Sequence, residues 1–178
     1  MKGDDYYHDG MQAMYAELFP QDVHYVIGSS DFTKDIYYQH VPHLDEAAST
    51  AAAEQAAQSG RRFFFGPPQV GTATPWTIEF DLPEVPAAER TILRLAISGT
   101  GARRIEVAVN GKPAGEVQLG MPDSTFSGRN GIQGIWYQRE LAFDTSMLKS
   151  GKNTLTLTVP AGAVGAGVMY DYLVEILH

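Results

Sequence analysis

The chain contains no cysteine. Disulfides, thiolate metal sites and thiol catalysis are therefore excluded together, while the compartment stays open, because a domain of this size folds without covalent staples. Positive charge is scarce: 13 Lys and Arg stand against 21 Asp and Glu, a formal net charge of −8. That field repels nucleic acid and anionic lipid surfaces, and no basic cluster offsets it. Long apolar runs are missing as well. None approaches the roughly 18 residues of a membrane-spanning helix, and no signal-peptide hydrophobic stretch follows Met1-Lys2-Gly3-Asp4-Asp5. We therefore expect neither a nucleic-acid nor a membrane partner, and read the chain as a mature or excised segment. No Gly-x-Ser-x-Gly elbow, phosphate loop or dinucleotide fingerprint occurs. The glycine-rich Ala161 to Gly167 run joins two strand patterns and reads as a flexible β-connection, not a phosphate cradle.

What is present is a packed, aromatic-rich chain of 178 residues, with 2 Trp, 9 Tyr and 8 Phe. This length suits one module. Residues 1–20 read as a helical lead-in, because Met11, Met14, Tyr15 and Leu18 recur at helical spacing before Pro20. Residues 21–178 read as the module proper. His24 to Ile27 and Ile36 to Val41 are β-rich, with Gly28-Ser29-Ser30-Asp31 as a turn between them. Leu44 to Gly60 holds seven Ala and no apolar stripe, which suits a surface excursion with little core content, either a helix by propensity or a loop.

Downstream, the alternation becomes regular. Trp76, Ile78, Phe80 and Leu82 share one strand face, as do Leu93, Leu95 and Ile97, and then Ile105, Val107 and Val109. Asn110-Gly111 predicts a two-residue type I′ hairpin, with Val117 and Leu119 on the return strand. Ile135 to Phe143, Leu155 to Val159 and Val168 to Ile176 bring the total to eight or nine strands. Asp144 followed by Gly151 predicts a one-turn helix, capped by the carboxylate and closed by glycine. The pattern as a whole predicts an all-β, antiparallel β-sandwich of jelly-roll type with a short N-terminal helix.

Several landmarks in order carry a family resemblance: Tyr15-Ala16-Glu17-Leu18-Phe19-Pro20, Tyr25 to Asp35 followed by Tyr37-Tyr38, Trp76-Thr77-Ile78-Glu79-Phe80, Val109-Asn110-Gly111, Arg129-Asn130-Gly131-Ile132-Gln133-Gly134, and Met169-Tyr170-Asp171-Tyr172. The chain resembles, over roughly Tyr15 to Ile176, the C-terminal carbohydrate-binding-module-like third domain of rhamnogalacturonan lyases, polysaccharide lyase family four. The resemblance implies a plant cell-wall polysaccharide such as rhamnogalacturonan as partner, an extracellular setting, and β-elimination performed by a lysine and a histidine of a separate N-terminal β-domain with no counterpart in this chain. The expectation is a pectin-recognition domain that is not itself an enzyme. The alternative is a structural domain that packs against the catalytic domain of a parent lyase without a ligand of its own.

Sugar recognition needs flat aromatic faces against the C–H side of a pyranose and Arg, Asn or Gln around its hydroxyls. Arg129, Asn130, Gln133, Trp136, Tyr137 and Arg139 offer that mixture within eleven residues, and either of Tyr37 and Tyr38 can serve as a platform, since neighbours on a strand face opposite ways. Ordinary packing of Trp136 or Tyr137 is the competing reading. Trp76, Tyr170 and Tyr172 read as core, and His24 as a strand residue. His40, His43 and Asp45 are close enough in sequence to suggest a metal cluster, though a loop after a strand exposes such residues without any metal. Any metal site stays unknown; no cofactor is expected beyond a structural Ca²⁺, for which Asp171 is the candidate, with a turn role as its alternative. A polyanionic ligand would also require a local basic patch, for which Arg61, Arg62, Arg129 and Arg139 are candidates; without one, a neutral galactan or arabinan fits better.

Overall fold

The computed structural model describes residues 22–31, 34–36, 39–60, 67–120 and 136–177, with the backbone alone for Gln39 and for 172–177. The expected helical lead-in over 1–20 lies outside these residues. Along the chain run β1 (His24–Val26), β2 (Gln39–His40), β3 (His43–Leu44), helix α1 (Glu46–Gln58), β4 (Val70–Thr72), β5 (Thr74–Leu82), β6 (Arg90–Thr100), β7 (Arg104–Val109), β8 (Lys112–Gln118), β9 (Tyr137–Asp144), a 3-10 turn (Thr145–Met147), β10 (Gly151–Val159), β11 (Gly162–Ala163) and β12 (Val168–Leu177).

These strands form a five-stranded sheet in the order β1-β5-β10-β7-β8, a four-stranded sheet β2-β12-β6-β9, and a small sheet β11-β4-β3. One apolar cluster joins the two larger sheets. Trp76, Ile78 and Phe80 of β5, Ile105, Val107 and Val109 of β7, and Leu155, Leu157 and Val159 of β10 meet Leu93, Leu95 and Ile97 of β6, Phe143 of β9, and Val168 and Tyr170 of β12. This is an all-β sandwich, and the period-2 apolar positions of the sequence are its inner faces. Each fully buried Leu or Ile contributes about 1.5–3 kcal/mol over its exposed state.

One expectation needs correction. The sandwich is not antiparallel throughout: β1 pairs with β5 in parallel, with Tyr25 opposite Ile78. A tight hairpin cannot make that pairing. Here the chain leaves β1, crosses to the other sheet as β2, and returns through β3, α1 and β4 before reaching β5. The β7–β8 hairpin, by contrast, follows the sequence signal, with Asn110 at φ 51° and Gly111 at φ 75°, as a type I′ turn requires.

The Ala-rich segment is helix α1. Asp45 caps it by accepting the Ala48 backbone N–H at 2.9 Å, and the high propensity of alanine sustains the turns. Only Ala56 is buried on it, so it adds little to the core. The Ala161 to Gly167 connection is more ordered than expected, because Gly162 and Ala163 pair with Gly71 and Val70. The small sheet also explains Gly71, where a Cβ would meet the Pro42 Cβ at 2.6 Å. Asp144 accepts the Ser146 N–H at 2.8 Å and opens the expected turn. Beneath that turn, Asn153, 1% exposed, donates to the Lys149 and Gly151 carbonyls and accepts from Lys149 N–H and Asn110 Nδ2.

Candidate functional site

Strand β9 sorts the expected sugar-contacting residues by simple alternation. Tyr137, Arg139, Leu141 and Phe143 turn toward the core side, whereas Gln138, Glu140 and Ala142 are exposed on the outer face. Trp136, just before the strand, falls in phase with the outer set and is 53% exposed. The register carries it toward β12, because Ile97 of β6 lies opposite both Tyr137 and Tyr170. Asp171 follows Tyr170 and points outward, and its Oδ2 accepts the Trp136 indole Nε1–H at 2.8 Å. The indole therefore bridges over β6 from one neighbouring strand to the other. On the same face, Arg94 donates Nε and Nη2 to Glu140 Oε1 at 3.0 and 2.8 Å. A rigid aromatic plane with carboxylate, guanidinium and amide groups along the sheet can take the apolar face of a pyranose and bond its hydroxyls.

Tyr137 and Arg139 have work of their own. The Arg139 guanidinium lies 4.4 Å from the centre of the Tyr137 ring, within cation–π range. Its Nε and Nη1 donate to the Gln118 and Gln138 carbonyls, while the Tyr137 hydroxyl accepts the Gly120 N–H at 3.0 Å. Together they tie the end of β8 to β9 and so join the edges of the two sheets. Tyr37, Tyr38, Arg129, Asn130 and Gln133 lie outside the described residues.

The three residues suggestive of a metal cluster separate into three local roles. His40 is fully buried and stacks on Trp76 with ring centroids 4.2 Å apart and planes 10° apart. Its Nε2 lies 2.7 Å from the Thr74 carbonyl, which can only accept, so Nε2 carries the proton and Nδ1 accepts from the Tyr170 hydroxyl at 3.1 Å. Burial lowers its pKa from 6.5 to about 3, against the opposing Thr74 hydrogen bond, and burial likewise raises that of Tyr170. His43 donates to Asp22 Oδ1 at 2.8 Å, and Asp45 caps α1. Among the described residues no three His, Asp or Glu side chains converge to hold a metal, and no helix is long and apolar enough to cross a membrane. Trp76 and Tyr170 are core, as the alternation implies, and His24 lies in β1 as expected, bonded to Glu79 at 2.7 Å. The Trp136–Asp171 contact joins residues 35 apart and has no local sequence signal; only the pairing of β9 and β12 about β6 creates it.

Residues 2–174 match the family described as CBM-like, polysaccharide lyase family 4, domain III. The chain belongs to that family. This CBM-like domain matches no curated protein. Solved structures similar to it include a family 35 carbohydrate-binding module from an environmental isolate, 19% identical over 61% of this chain and 67% of the other, with a TM-score of 0.40. A family 35 module of Cellvibrio japonicus is 20% identical over 65% and 76%, with a TM-score of 0.38. A β-glucuronidase of Bifidobacterium dentium is 23% identical over 51% of this chain and 12% of the enzyme, with a TM-score of 0.32.

Proposed function

We propose that this CBM-like domain is a non-catalytic recognition module that holds a pectic polysaccharide, with rhamnogalacturonan as the ligand class, on the outer face of the four-stranded sheet. A jelly-roll winding of the sandwich and an extracellular location belong to the same reading. The observation that carries it is Trp136: a 53% exposed indole fixed by the Asp171 carboxylate. A platform already held in place loses less conformational entropy on binding. The third domain of rhamnogalacturonan lyases, which the chain resembles, supplies the ligand class.

Calorimetric titration with rhamnogalacturonan I oligosaccharides, homogalacturonan and galactan, with and without Ca²⁺, tests this reading, with ultraviolet absorbance followed for the unsaturated product of elimination. The expected result is saturable binding of the pectic oligosaccharides without product, weakened about tenfold in Trp136→Ala, as removal of a stacking contact worth roughly 1.5 kcal/mol implies. Absence of binding to every polymer leaves the alternative, a structural domain packed against a catalytic domain. Formation of product overturns the non-catalytic assignment.

A further inference from the structure

At one end of the sandwich, the β6–β7 turn and the connection from β10 to β12 border an open cleft of about 280 Å³, lined by Gly101, Ala102, Arg103, Arg104, Pro160, Ala161 and Ala166. Among the described residues no carboxylate lines it. The two arginines differ in a way that matters. Arg104 is engaged from behind by Glu106 Oε1 at 3.3 Å and Glu116 Oε1 at 3.4 Å. Arg103 is exposed, and among the described residues no carboxylate pairs with it. Its backbone is nonetheless fixed, since its carbonyl accepts the Leu119 N–H at 2.8 Å. The turn is held too: the Gly167 carbonyl accepts the N–H of Gly101 at 2.8 Å and of Ala102 at 3.0 Å, and Thr100 Oγ1 donates to the Ala102 carbonyl at 2.8 Å. The cleft is thus pre-formed, with small residues for walls.

In a chain of net charge −8, Arg103 places a guanidinium with no carboxylate partner among the described residues beside this cleft. The geometry points to a second saccharide subsite, in which Arg103 takes the carboxylate of a single uronic acid unit. A guanidinium meets a carboxylate through two parallel N–H···O bonds, which a lysine cannot reproduce. The cleft lies at the lower end of ligand-pocket volumes, roughly 300 Å³, so it suits one pyranose ring and not a longer segment. Trp136 is at the same end of β6: it precedes Tyr137, the partner of Ile97, and Gly101 comes four residues after Ile97, a rise on the order of 13 Å. One acidic sugar at Arg103 and another unit of the same chain at Trp136 would give an acidic polysaccharide two anchors. This inference rests on the saccharide-recognition reading and assigns that reading its uronate contact.

The test is a two-dimensional ¹H–¹⁵N titration of the domain with galacturonate, its neutral methyl ester, galactose and acetate. Galacturonate is expected to move the amides of Gly101, Ala102, Arg103, Ala161 and Ala166 in a saturable manner, and the ester and galactose to leave them in place. Arg103→Gln, a change at an exposed side chain, is expected to weaken the galacturonate response about tenfold or more, whereas Trp136→Ala preserves it. An equal response to acetate overturns the saccharide assignment in favour of a plain anion site. If oligosaccharides bind with unchanged affinity to Arg103→Gln and galacturonate moves none of these amides, the subsite is wrong and the Trp136 platform stands. If neither the oligosaccharides nor galacturonate bind, both readings fall.

Discussion

The two tryptophans of this chain are each held by a polar partner, and their surroundings give those partnerships opposite meanings. Trp76 is 2% exposed and stacked on the fully buried His40; Trp136 is 53% exposed and bonded to Asp171. Around Trp76 the polar group is inside, so both of its nitrogens need protein partners, and they find them in Thr74 and Tyr170. Around Trp136 the carboxylate stays in water and needs the indole for nothing. What the Asp171 bond does is orient the ring. A buried aromatic–polar pair serves stability, whereas a wet one of similar chemistry is free to serve recognition.

The comparison breaks most visibly at Trp76. Trp76→Ala removes the largest fully buried side chain and strips the stacking surface from His40, so it is expected to cost about 3–5 kcal/mol in urea unfolding. A cost below about 1 kcal/mol would mean that this cluster does not hold the two sheets together. His40 sharpens the same side through pH. Its pKa falls from 6.5 to about 3 on burial, so between those values the unfolded chain binds a proton that the folded one refuses. Stability from this group is complete above pH 6.5 and is lost as pH falls toward about 3, with a slope approaching about 1.4 kcal/mol per pH unit. Unfolding measured from pH 6.5 down to about 5, above the ordinary carboxylate range, is expected to show that slope in the native chain and to lack it in His40→Gln. Equal slopes would place His40 in contact with water.

How legible this division was depends on distance along the chain. The inner faces of β5, β6, β7 and β10, the Asn110-Gly111 turn and the Asp144 cap are local patterns, and each appears in the structure where the residues imply it. His40 was not legible as core, since its partners Thr74 and Tyr170 are 34 and 130 residues away, and its neighbours His43 and Asp45 suggested a metal instead. The parallel β1–β5 pair and the two-residue strands of the small sheet carry no periodic signal either. At the candidate site strand alternation separates Trp136 from Tyr137, which leaves Tyr137 and Arg139 to brace the sheet edges. Arg103 shows the opposite limit: its sequence neighbours look ordinary, and only the approach of Pro160, Ala161 and Ala166 makes a cleft beside it.

The exposed tryptophan should respond in the reverse sense to Trp76. Trp136→Ala changes an exposed position whose one described polar contact is with a surface carboxylate, so its effect on unfolding is expected within about 0.5 kcal/mol. Loss of several kcal/mol would make Trp136 a structural residue and remove the main support for a sugar platform there.

The smallest expected effect falls on Asp171. Asp171→Asn keeps an oxygen that can accept the indole N–H but removes the charge that shortens and strengthens that bond. Stability should be unchanged, and oligosaccharide affinity should fall only a few-fold, since the ring remains and is merely held less firmly. Asp171→Ala removes the acceptor and is expected to fall between Asn and Trp136→Ala. The graded order Asn, Ala, Trp136→Ala is the signature of a carboxylate that works by orienting the ring. If Asp171→Asn instead weakens binding as much as Trp136→Ala does, the carboxylate itself contacts the ligand or a cation bound with it, and repeating the titration with Ca²⁺ chelated decides between those two contacts.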